Sequence, residues 1–378
     1  MTKIYWNVEA YVNGVNTQIQ DKVLSLNIIQ GREKYLDTYS GGSCTITINN
    51  AGDYASGIAY GSEVRIYNDF LAEYDVIFWV QEIDFDDYPG NTGLNTATII
   101  CADFMSRAGR ILADNFSLTS QTCARQAIKF NNVSGGPLPS RMEIYSPSVT
   151  GSTASAITYS GSVNNYLNYL ITTERGYLVD QEFILYFICR SDVSSYAPIA
   201  TTLGRTTSTT QIAYQSFDRI QNGVQFINTA TIQSTGIADQ TAVNSNSVSS
   251  YGAASYSSAT VDSSTTQASG NASWIVNTLS NPSSLRFKCS FTDVAQNSTA
   301  LSSWMNQFWS GSNRTMNLSY QVPGGSLTTV AVVMEGYEIN ATPDLATFTL
   351  NLSPLTYYQF FTLNSTTLGI LDTSRLGW

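Results

Sequence analysis

Histidine is absent from the 378 residues of this chain. Without it the chain cannot build a Ser-His-Asp or Cys-His nucleophile arrangement, a histidine zinc site or the commonest general base near neutral pH. Lysine occurs only at positions 3, 22, 34, 129 and 288, and none of these stands in a Ser-x-x-Lys pattern. The sequence therefore predicts a protein that is not an enzyme.

Other signals of a site or a membrane are missing too. The five cysteines, at positions 44, 101, 123, 189 and 289, contain no Cys-x-x-Cys pair, which argues against zinc. Four of them lie in apolar strand-like runs, so we expect buried free thiols. No apolar run is long enough to span a bilayer, and the N-terminus lacks the apolar segment of a signal peptide. Neither a Walker sequence nor a Gly-x-Gly-x-x-Gly turn occurs, so no cofactor is expected.

Charge is scarce, at 12% of residues, and its balance is acidic, with a net charge of −10. Such a chain offers no basic patch for stable nucleic-acid binding. In a conduit for DNA, an acidic surface prevents sticking. The polar positions are filled by Ser, Thr, Asn, Gln and 23 Tyr, which suits contact surfaces because tyrosine loses little entropy when immobilised. An ordinary Ser/Thr-rich β domain has a similar composition.

Alternating segments predict antiparallel strands in the first 110 residues, at 3–12, 23–30, 44–49, 64–67, 76–86 and 96–102. Within one of them, Cys44, Ile46 and Ile48 share a face. A similar strand–turn–strand pattern at 328–352 indicates a duplicated β-barrel. We predict a mainly β protein with minor α (α+β), composed of two related antiparallel, tube-type β-barrel domains and a mixed α/β middle domain.

The predicted domains are 1–110 (first barrel), 111–215 (mixed helix and hairpin) and 216–378 (second barrel with a C-terminal tail). The middle domain contains a helix with Ser162 as its N-cap and Gly176 in the C-cap position. Its apolar stripe consists of Val163, Tyr166, Leu167, Leu170 and Ile171. A Ser/Thr-rich tract at 234–270 is predicted to be the most flexible stretch.

One acidic cluster, Asp84, Asp86 and Asp87, is a weak candidate for a cation site. Its register does not match an EF-hand loop and no Glu closes it, so we interpret it as the solvent-facing mouth of a hairpin. We predict no catalytic, cofactor-binding or metal-binding residues.

An aromatic stripe at 301–309 has helical spacing. It predicts a helix packed on its own barrel, the more common case, or else a docking helix. The candidate interface residues are Tyr88, Asn91, Trp304, Phe308 and Trp309.

The order of these segments resembles that of tailed-bacteriophage minor tail proteins of the baseplate-hub type. The N-terminal segments that carry the resemblance are YSGGSCTITINNAGDY, IAYGSEVRIYND, YDVIFWVQEIDFDD and TATIICADF. The later ones are YLNYLITTERGYLVDQEFILYFICR, EGYEINATPDLATFTLNLSPL and LNSTTLGILDTSRLGW. The family's strand and turn pattern is matched at Gly42, Asn49, Asn50, Gly52, Gly61 and Asp103.

The resemblance implies a structural protein that forms a homotrimer, in which three pairs of barrels present a pseudo-sixfold ring to the tail tube. Its partners would be the tail tube or distal tail protein, and a central spike, fibre or other tail-tip proteins, with DNA only in transit. Its location would be the virion tail, after assembly in the host cytoplasm. The alternatives are a distal-tail or adaptor ring, a receptor-binding tail protein and, less expected, a tail-borne glycan hydrolase that uses Glu174 or Glu182.

Overall fold

The computed structural model describes residues 4–12, 15–69, 76–221, 225–283, 285–309 and 312–359. Within them the chain is rich in β-strands and carries seven α-helices, which confirms the predicted β-rich α+β class. None of the described helices is long and apolar enough to cross a membrane. The closing segment that resembles the family's tail, 363–378, lies outside the described residues.

The first part of the chain contains β1 (Trp6–Val12), β2 (Val15–Gln18), β3 (Val23–Gly31), β4 (Ser43–Asn49), β5 (Glu63–Asn68), β6 (Val76–Asp86), β7 (Thr96–Ala102) and α1 (Phe104–Ala108). The middle part contains β8 (Leu112–Leu118), β9 (Gln121–Thr122), α2 (Cys123–Ile128), β10 (Glu143–Tyr145), β11 (Thr153–Ala154), β12 (Ile157–Ser162), α3 (Val163–Glu174), β13 (Tyr177–Gln181), β14 (Ile184–Ile188) and α4 (Arg190–Ser195). The last part contains β15 (Thr202–Gly204), β16 (Gln211–Ala213), β17 (Ser216–Gln221), β18 (Thr229–Ser234), β19 (Gln240–Val243), α5 (Ser245–Tyr251), β20 (Ser255–Thr260), α6 (Thr265–Leu279), β21 (Leu285–Thr292), α7 (Ser298–Trp309), β22 (Thr315–Gln321), β23 (Leu327–Thr342) and β24 (Leu345–Pro354).

Fourteen strands form one sheet, in which two groups of strands share a pairing order. The first group runs β3-β4-β7-β6-β5-β1 and the second β17-β21-β24-β23-β22-β15. Each group has a β-bulge at the matching place, between Val80 and Glu82 in β6 and between Met334 and Gly336 in β23. Only the last pairing differs, since β1 is antiparallel to β5 whereas β15 is parallel to β22. Hydrogen bonds among the described strands close neither group into a barrel.

The two groups are joined where β3 pairs with β23, and we call this pairing the seam. Gly31 lies opposite Gly336 in its antiparallel register. The backbones approach so closely here that a Cβ on Gly31 would collide with the Glu335 carbonyl oxygen, and one on Gly336 would lie 2.6 Å from the carbonyl oxygen of Arg32. Gly31 also has a φ of +87°, which side chains rarely adopt. Both strands therefore require glycine at this end of the seam.

A buried ion pair crosses the seam beside these glycines. Arg32 Nε donates to Glu335 Oε2 at 2.7 Å. Arg32 Nη2 donates to Tyr358 Oη at 2.8 Å and to the carbonyl oxygen of Gly176 at 3.3 Å. Tyr358 Oη in turn donates to Glu335 Oε1 at 2.8 Å. Burial is the largest single effect and lowers the pKa of Arg32. The interactions with Glu335, Tyr39 and Tyr358 together outweigh it, so the pKa of Arg32 is raised well above its usual value.

Two hydrophobic clusters stabilise the fold. The first combines the inward side chains of the large sheet with α7, and includes the seam partners Ile28 and Ile339. The second fills the middle part and extends to residues 225–279. It reaches the large sheet through Ile77 and Trp79 of β6, which point away from the first cluster. The middle part is therefore packed against one side of the sheet.

Residues 225–283, inserted between β17 and β21, share the second cluster with the middle part. The tract at 234–270, predicted to be the most flexible stretch, forms β19, α5, β20 and the start of α6. Its polar side chains are used in buried hydrogen bonds, because Asp262 accepts from Thr260 Oγ1 and from Asn271 Nδ2, each at 2.6 Å. Hydrogen bonding thus compensates for the small number of large apolar residues in this tract.

α3 confirms the predicted helix, whose five stripe residues are all buried. Ser162 caps it by accepting a hydrogen bond from the backbone N–H of Asn165. The predicted C-cap was wrong, since Arg175 rather than Gly176 adopts the left-handed conformation, with a φ of 57°. Gly176 is required for another reason, because a Cβ there would collide with the carbonyl oxygen of Ile188.

The aromatic stripe of α7 is buried within the chain itself. Trp304 and Phe308 are 0% and 1% exposed, and their rings stack at 4.6 Å. Trp304 also contacts Phe291 and Phe348 edge-on, at 5.2 and 5.5 Å. This agrees with a helix packed on its own sheet, so Trp304 and Phe308 are not part of the described surface. The side chain of Trp309 lies outside the described part of the structure.

Substituting Arg32→Met should destabilise the protein strongly, because the Glu335 carboxylate stays buried without its counter-charge. Removing one partner of a buried ion pair costs about 3–5 kcal/mol, whereas replacing both by apolar residues costs much less. In urea unfolding, the free energy of unfolding should therefore be lower for Arg32→Met than for the double variant Arg32→Met, Glu335→Met. The matched control is Lys22→Met, whose pair with Asp21 is on the surface and should matter little. Equal losses in the Arg32 and Lys22 variants would contradict this account.

Candidate functional site, the shared sheet face and its rim

The outward side of the large sheet continues from one strand group into the other, beyond the end that the middle part covers at Ile77 and Trp79 of β6. We call the outward side of β6, β7, β4, β3, β23, β24 and β21 the shared face, in their pairing order. Because side chains alternate along a strand, the register gives its rows. One row consists of Glu82, Ile100, Thr45, Asn27, Asn340 and Thr347. The two groups thus present one surface.

The side chains of the shared face are mainly Ser, Thr and Asn, and its charges are mainly negative. Its carboxylates are those of Glu82, Asp84, Asp86 and Glu338. Lys288 on β21 is exposed, and Arg286 on the same strand pairs with Glu33 at 2.9 Å. A surface of this charge repels the phosphates of DNA.

Polar side chains of the shared face are hydrogen-bonded across the seam. Asn27 Nδ2 on β3 lies 3.1 Å from Glu338 Oε1 and 2.6 Å from Asn340 Oδ1, both on β23. Asn340 Nδ2 donates to the same Glu338 oxygen at 2.9 Å. These bonds fix the side chains at the junction between the two strand groups.

One end of the shared face carries exposed apolar side chains, and we call this end the rim. It consists of the β6–β7 turn, the β23–β24 turn, the start of β3 and the chain segments beside them. The apolar side chains, each between 38% and 60% exposed, are Tyr5, Leu24, Tyr54, Phe85, Tyr88, Leu94 and Leu345. A pocket of about 320 Å³ adjoins them, lined by residues that include Tyr5, Val23 and Pro343. Concentrated apolar exposure of this kind marks contact surfaces.

The candidate residues from the sequence fall on this site in part. Asp84 and Asp86 point outward from β6, and Asp87 begins the β6–β7 turn. Tyr88 and Asn91 lie exposed in the same turn, so they belong to the rim, and their role in contacts stays a prediction. Among the described residues, no group of three or more Cys, Asp or Glu is placed to hold a metal ion.

Glu174, the first candidate acid of the hydrolase alternative, is buried. Its carboxylate accepts from the backbone N–H of Ser152 at 2.6 Å and of Arg190 at 3.2 Å. Burial raises the pKa of Glu174, and these hydrogen bonds oppose the shift. Glu182 lies in the β13–β14 turn with a φ of 55°. The geometry therefore gives Glu174 a structural role between the 148–152 loop and α4. All five cysteines are buried and free, which confirms the prediction for the four in apolar strand-like runs and adds Cys123.

A cavity of about 30 Å³ lies behind the seam, between the sheet and the middle part. Its lining includes the titratable residues Tyr39, Asp103, Asp180, Arg314, Glu335 and Tyr337. Asp103 accepts from the Ser106 N–H at 2.8 Å, and Asp180 Oδ2 accepts from the Phe104 N–H at 2.9 Å. Asp180 Oδ1 has no hydrogen-bond partner. Burial raises the pKa of both carboxyl groups, and the charge of Asp103 raises that of Asp180 further.

Solved structures of phage tail proteins share this fold. The 43 kDa tail protein of prophage MuSo2 from Shewanella oneidensis has a TM-score of 0.60 and 12% identity, over 95% of this chain and 98% of its own. The tail protein from Neisseria meningitidis has a TM-score of 0.60 and 11% identity, over 92% of this chain and 96% of its own. The E. coli c3393 protein has a TM-score of 0.51 and 9% identity, over 88% of this chain and 73% of its own.

These matches confirm, at the level of the fold, the predicted resemblance to phage tail proteins. The c3393 protein is described as a component of the type VI secretion system with structural similarity to the T4 bacteriophage tail proteins gp27 and gp5. By sequence, no family model and no curated protein matches this chain. The likeness therefore lies in the three-dimensional arrangement.

The substitution Asp180→Asn should make the melting temperature of the protein less dependent on pH. Because the folded pKa of Asp180 is raised, its contribution is complete below about pH 4, the ordinary Asp value, and is lost as the pH rises through the folded pKa. The Asn variant carries no charge at any pH and can still accept from the Phe104 N–H. Melting temperatures between pH 4 and 8 should therefore fall less in Asp180→Asn than in the wild type or in the exposed control Asp84→Asn. Identical profiles for all three would exclude a titrating Asp180.

Proposed function

We propose that this protein is a structural subunit of a phage tail tip, of the baseplate-hub type, whose copies assemble into a ring around a DNA channel. The observation that carries the proposal is the repeated pairing order across one continuous sheet. Three copies of a chain with two similar strand groups supply six similar units, which suits a sixfold tail tube. The two groups would act as two related barrel-type units of the ring.

The shared face is the side that we assign to the channel. Its short Ser, Thr and Asn side chains leave a smooth polar wall, and its carboxylates outnumber its unpaired basic residues. Repulsion between these carboxylates and DNA phosphates keeps DNA from sticking during passage. The hydrogen bonds of Asn27, Glu338 and Asn340 lie at the centre of this wall.

The rim is the surface that we assign to contact with the tail tube or the distal tail protein. Its exposed apolar and tyrosine side chains suit a protein–protein contact, and Tyr88 and Asn91 would take part in it. Its two turns occupy matching places in the two strand groups, so a trimer would present six of them. The middle part packs on the same outward side of β6, at Ile77 and Trp79, beside the shared face. It would carry the contacts to a central spike, a fibre or other tail-tip proteins.

A location in the virion tail is supported by the proteins that share the fold, since one is described as a prophage tail protein and another as a tail protein. The described similarity of c3393 to the T4 bacteriophage tail proteins gp27 and gp5 supports the same location. Subunits of such a particle would assemble in the host cytoplasm.

Electron microscopy of the purified protein, or of the particle that contains it, should show a ring of three chains with a central channel. Analytical ultracentrifugation over a range of protein concentrations measures the number of chains per assembly in solution. A six-chain ring would favour the distal-tail or adaptor alternative, and a chain that stays monomeric in both measurements would contradict the proposal.

Reversing one charge on the shared face should make the ring retain DNA. In Asp84→Lys a cation replaces an exposed carboxylate of the channel wall, so we expect at least a threefold rise in duplex DNA binding at low salt, which added salt removes. The matched control is Asp239→Lys, the same substitution at an exposed position of the inserted residues. A gel-shift titration of both variants measures the difference. Equal DNA binding by both variants would count against the shared face as the channel wall.

A further inference from the structure

Arg175 is a buried cation for which the described part of the chain supplies no ion-pair partner. It is the C-cap residue of α3 and is 4% exposed. Its Nη1 is fully enclosed and has no hydrogen-bond acceptor. A buried guanidinium without an acceptor is costly, because the hydrogen bonds to water lost on folding are not replaced.

A second arginine lies next to it on the same aromatic ring. The guanidinium carbon of Arg190 is 4.4 Å from the centre of the Trp274 ring, and that of Arg175 is 5.9 Å from it. Burial, and then the charge of Arg190, lower the pKa of Arg175 to about 9. Two positive charges, one on the buried Arg175 and one on the half-buried Arg190, are thus held close together.

Three further buried side chains have polar atoms without a hydrogen-bond partner among the described residues. They are Tyr35 Oη, Trp274 Nε1 and Thr278 Oγ1, in residues that are at most 3% exposed. Tyr35 lies close enough to interact electrostatically with both arginines. Trp274 and Thr278 are one turn apart on α6 and therefore share a face of that helix. All three groups can donate a hydrogen bond, as Arg175 can.

The nearest carboxylates are already engaged elsewhere. Glu174 and Asp262 both attract Arg175, but less strongly than Arg190 repels it. The oxygens of Glu174 accept from two backbone N–H groups, and those of Asp262 accept from Thr260, Asn271 and Ser234. Neither carboxylate bonds to Arg175, so the cluster has more donors than acceptors.

We propose that Arg175, with Tyr35, Trp274 and Thr278, binds a small inorganic anion of the chloride or phosphate class. The anion would accept hydrogen bonds from these donors and offset the repulsion between the two arginines. The donors come from the segment after β3, from the end of α3 and from α6, so the anion would hold three parts of the chain together. This site does not depend on the proposed tail function.

Thermal unfolding at constant ionic strength tests the site, with gluconate replaced stepwise by chloride in one series and by phosphate in another. Binding to the folded state should raise Tm by about 3 °C at roughly one hundred times the Kd. The rise should be lost in Arg175→Gln and kept in Arg219→Gln, a control in which the arginine is exposed. If Tm rises with just one of the two anions, that anion identifies the class of ligand.

Thr278→Val retains both arginines and should shift the same response to higher anion concentration, which keeps the test valid if Arg175→Gln does not fold. Bromide-soaked crystals should show an anomalous peak beside Arg175 if the site takes halides. Absence of any anion-specific rise in the wild type would overturn the proposal, because the donors would then bond to water only.

Discussion

The pairing of β3 with β23 is the constraint on which the rest of the structure depends. At Gly31 and Gly336 the two backbones leave no room for a side chain, and beside them Arg32 and Glu335 meet in the interior. A buried ion pair contributes less to stability than its Coulomb energy implies, but it penalises every arrangement that separates its partners. A shift of one residue would also turn the outward side chains of β23 into the core. The seam thus selects one register.

The β-bulges explain how a repeated framework acquired this interaction. In each group the bulge leaves one residue of the long strand unpaired, and that residue is Gln81 in β6 and Glu335 in β23. Among the described residues, the side chain of Gln81 donates only to the carbonyl oxygen of Trp79, two residues away. Glu335 instead reaches Arg32 and Tyr358, which ties the second group to the first and to the 355–358 segment. The bulge residue of the first strand group thus makes a local hydrogen bond, whereas the bulge residue of the second group connects segments that are distant in sequence.

Local patterns in the sequence predicted the elements well, because alternation and helical spacing are properties of short segments. β4, β7 and α3 lie where the pattern places them, and the outward direction of Asp84 and Asp86 follows from alternation in β6. The position of these acids on one surface with Glu338 could not be predicted, since it depends on pairing across some 300 residues of sequence. The tract at 234–270 was predicted to be the most flexible stretch because its buried contacts are hydrogen bonds of Ser, Thr, Asn and Asp rather than an apolar stripe. For α7 the helical spacing predicted the helix correctly, but it could not predict the surface against which the helix packs. An apolar stripe shows that one side of a helix is buried and carries no information about its partner.

The distance along the chain between the two sides of the seam has a consequence for biosynthesis. β3 is made roughly 300 residues before its partner β23, so on the ribosome its edge stays unpaired until β23 has been made. Unpaired edges attract other strands, and contacts of this sequence separation form slowly. In the second group β17 must likewise wait for β21 until the inserted residues have been made. The large sheet is therefore completed only after β23 and β24 have been made, and its open edges until then are where misassembly between nascent chains would begin.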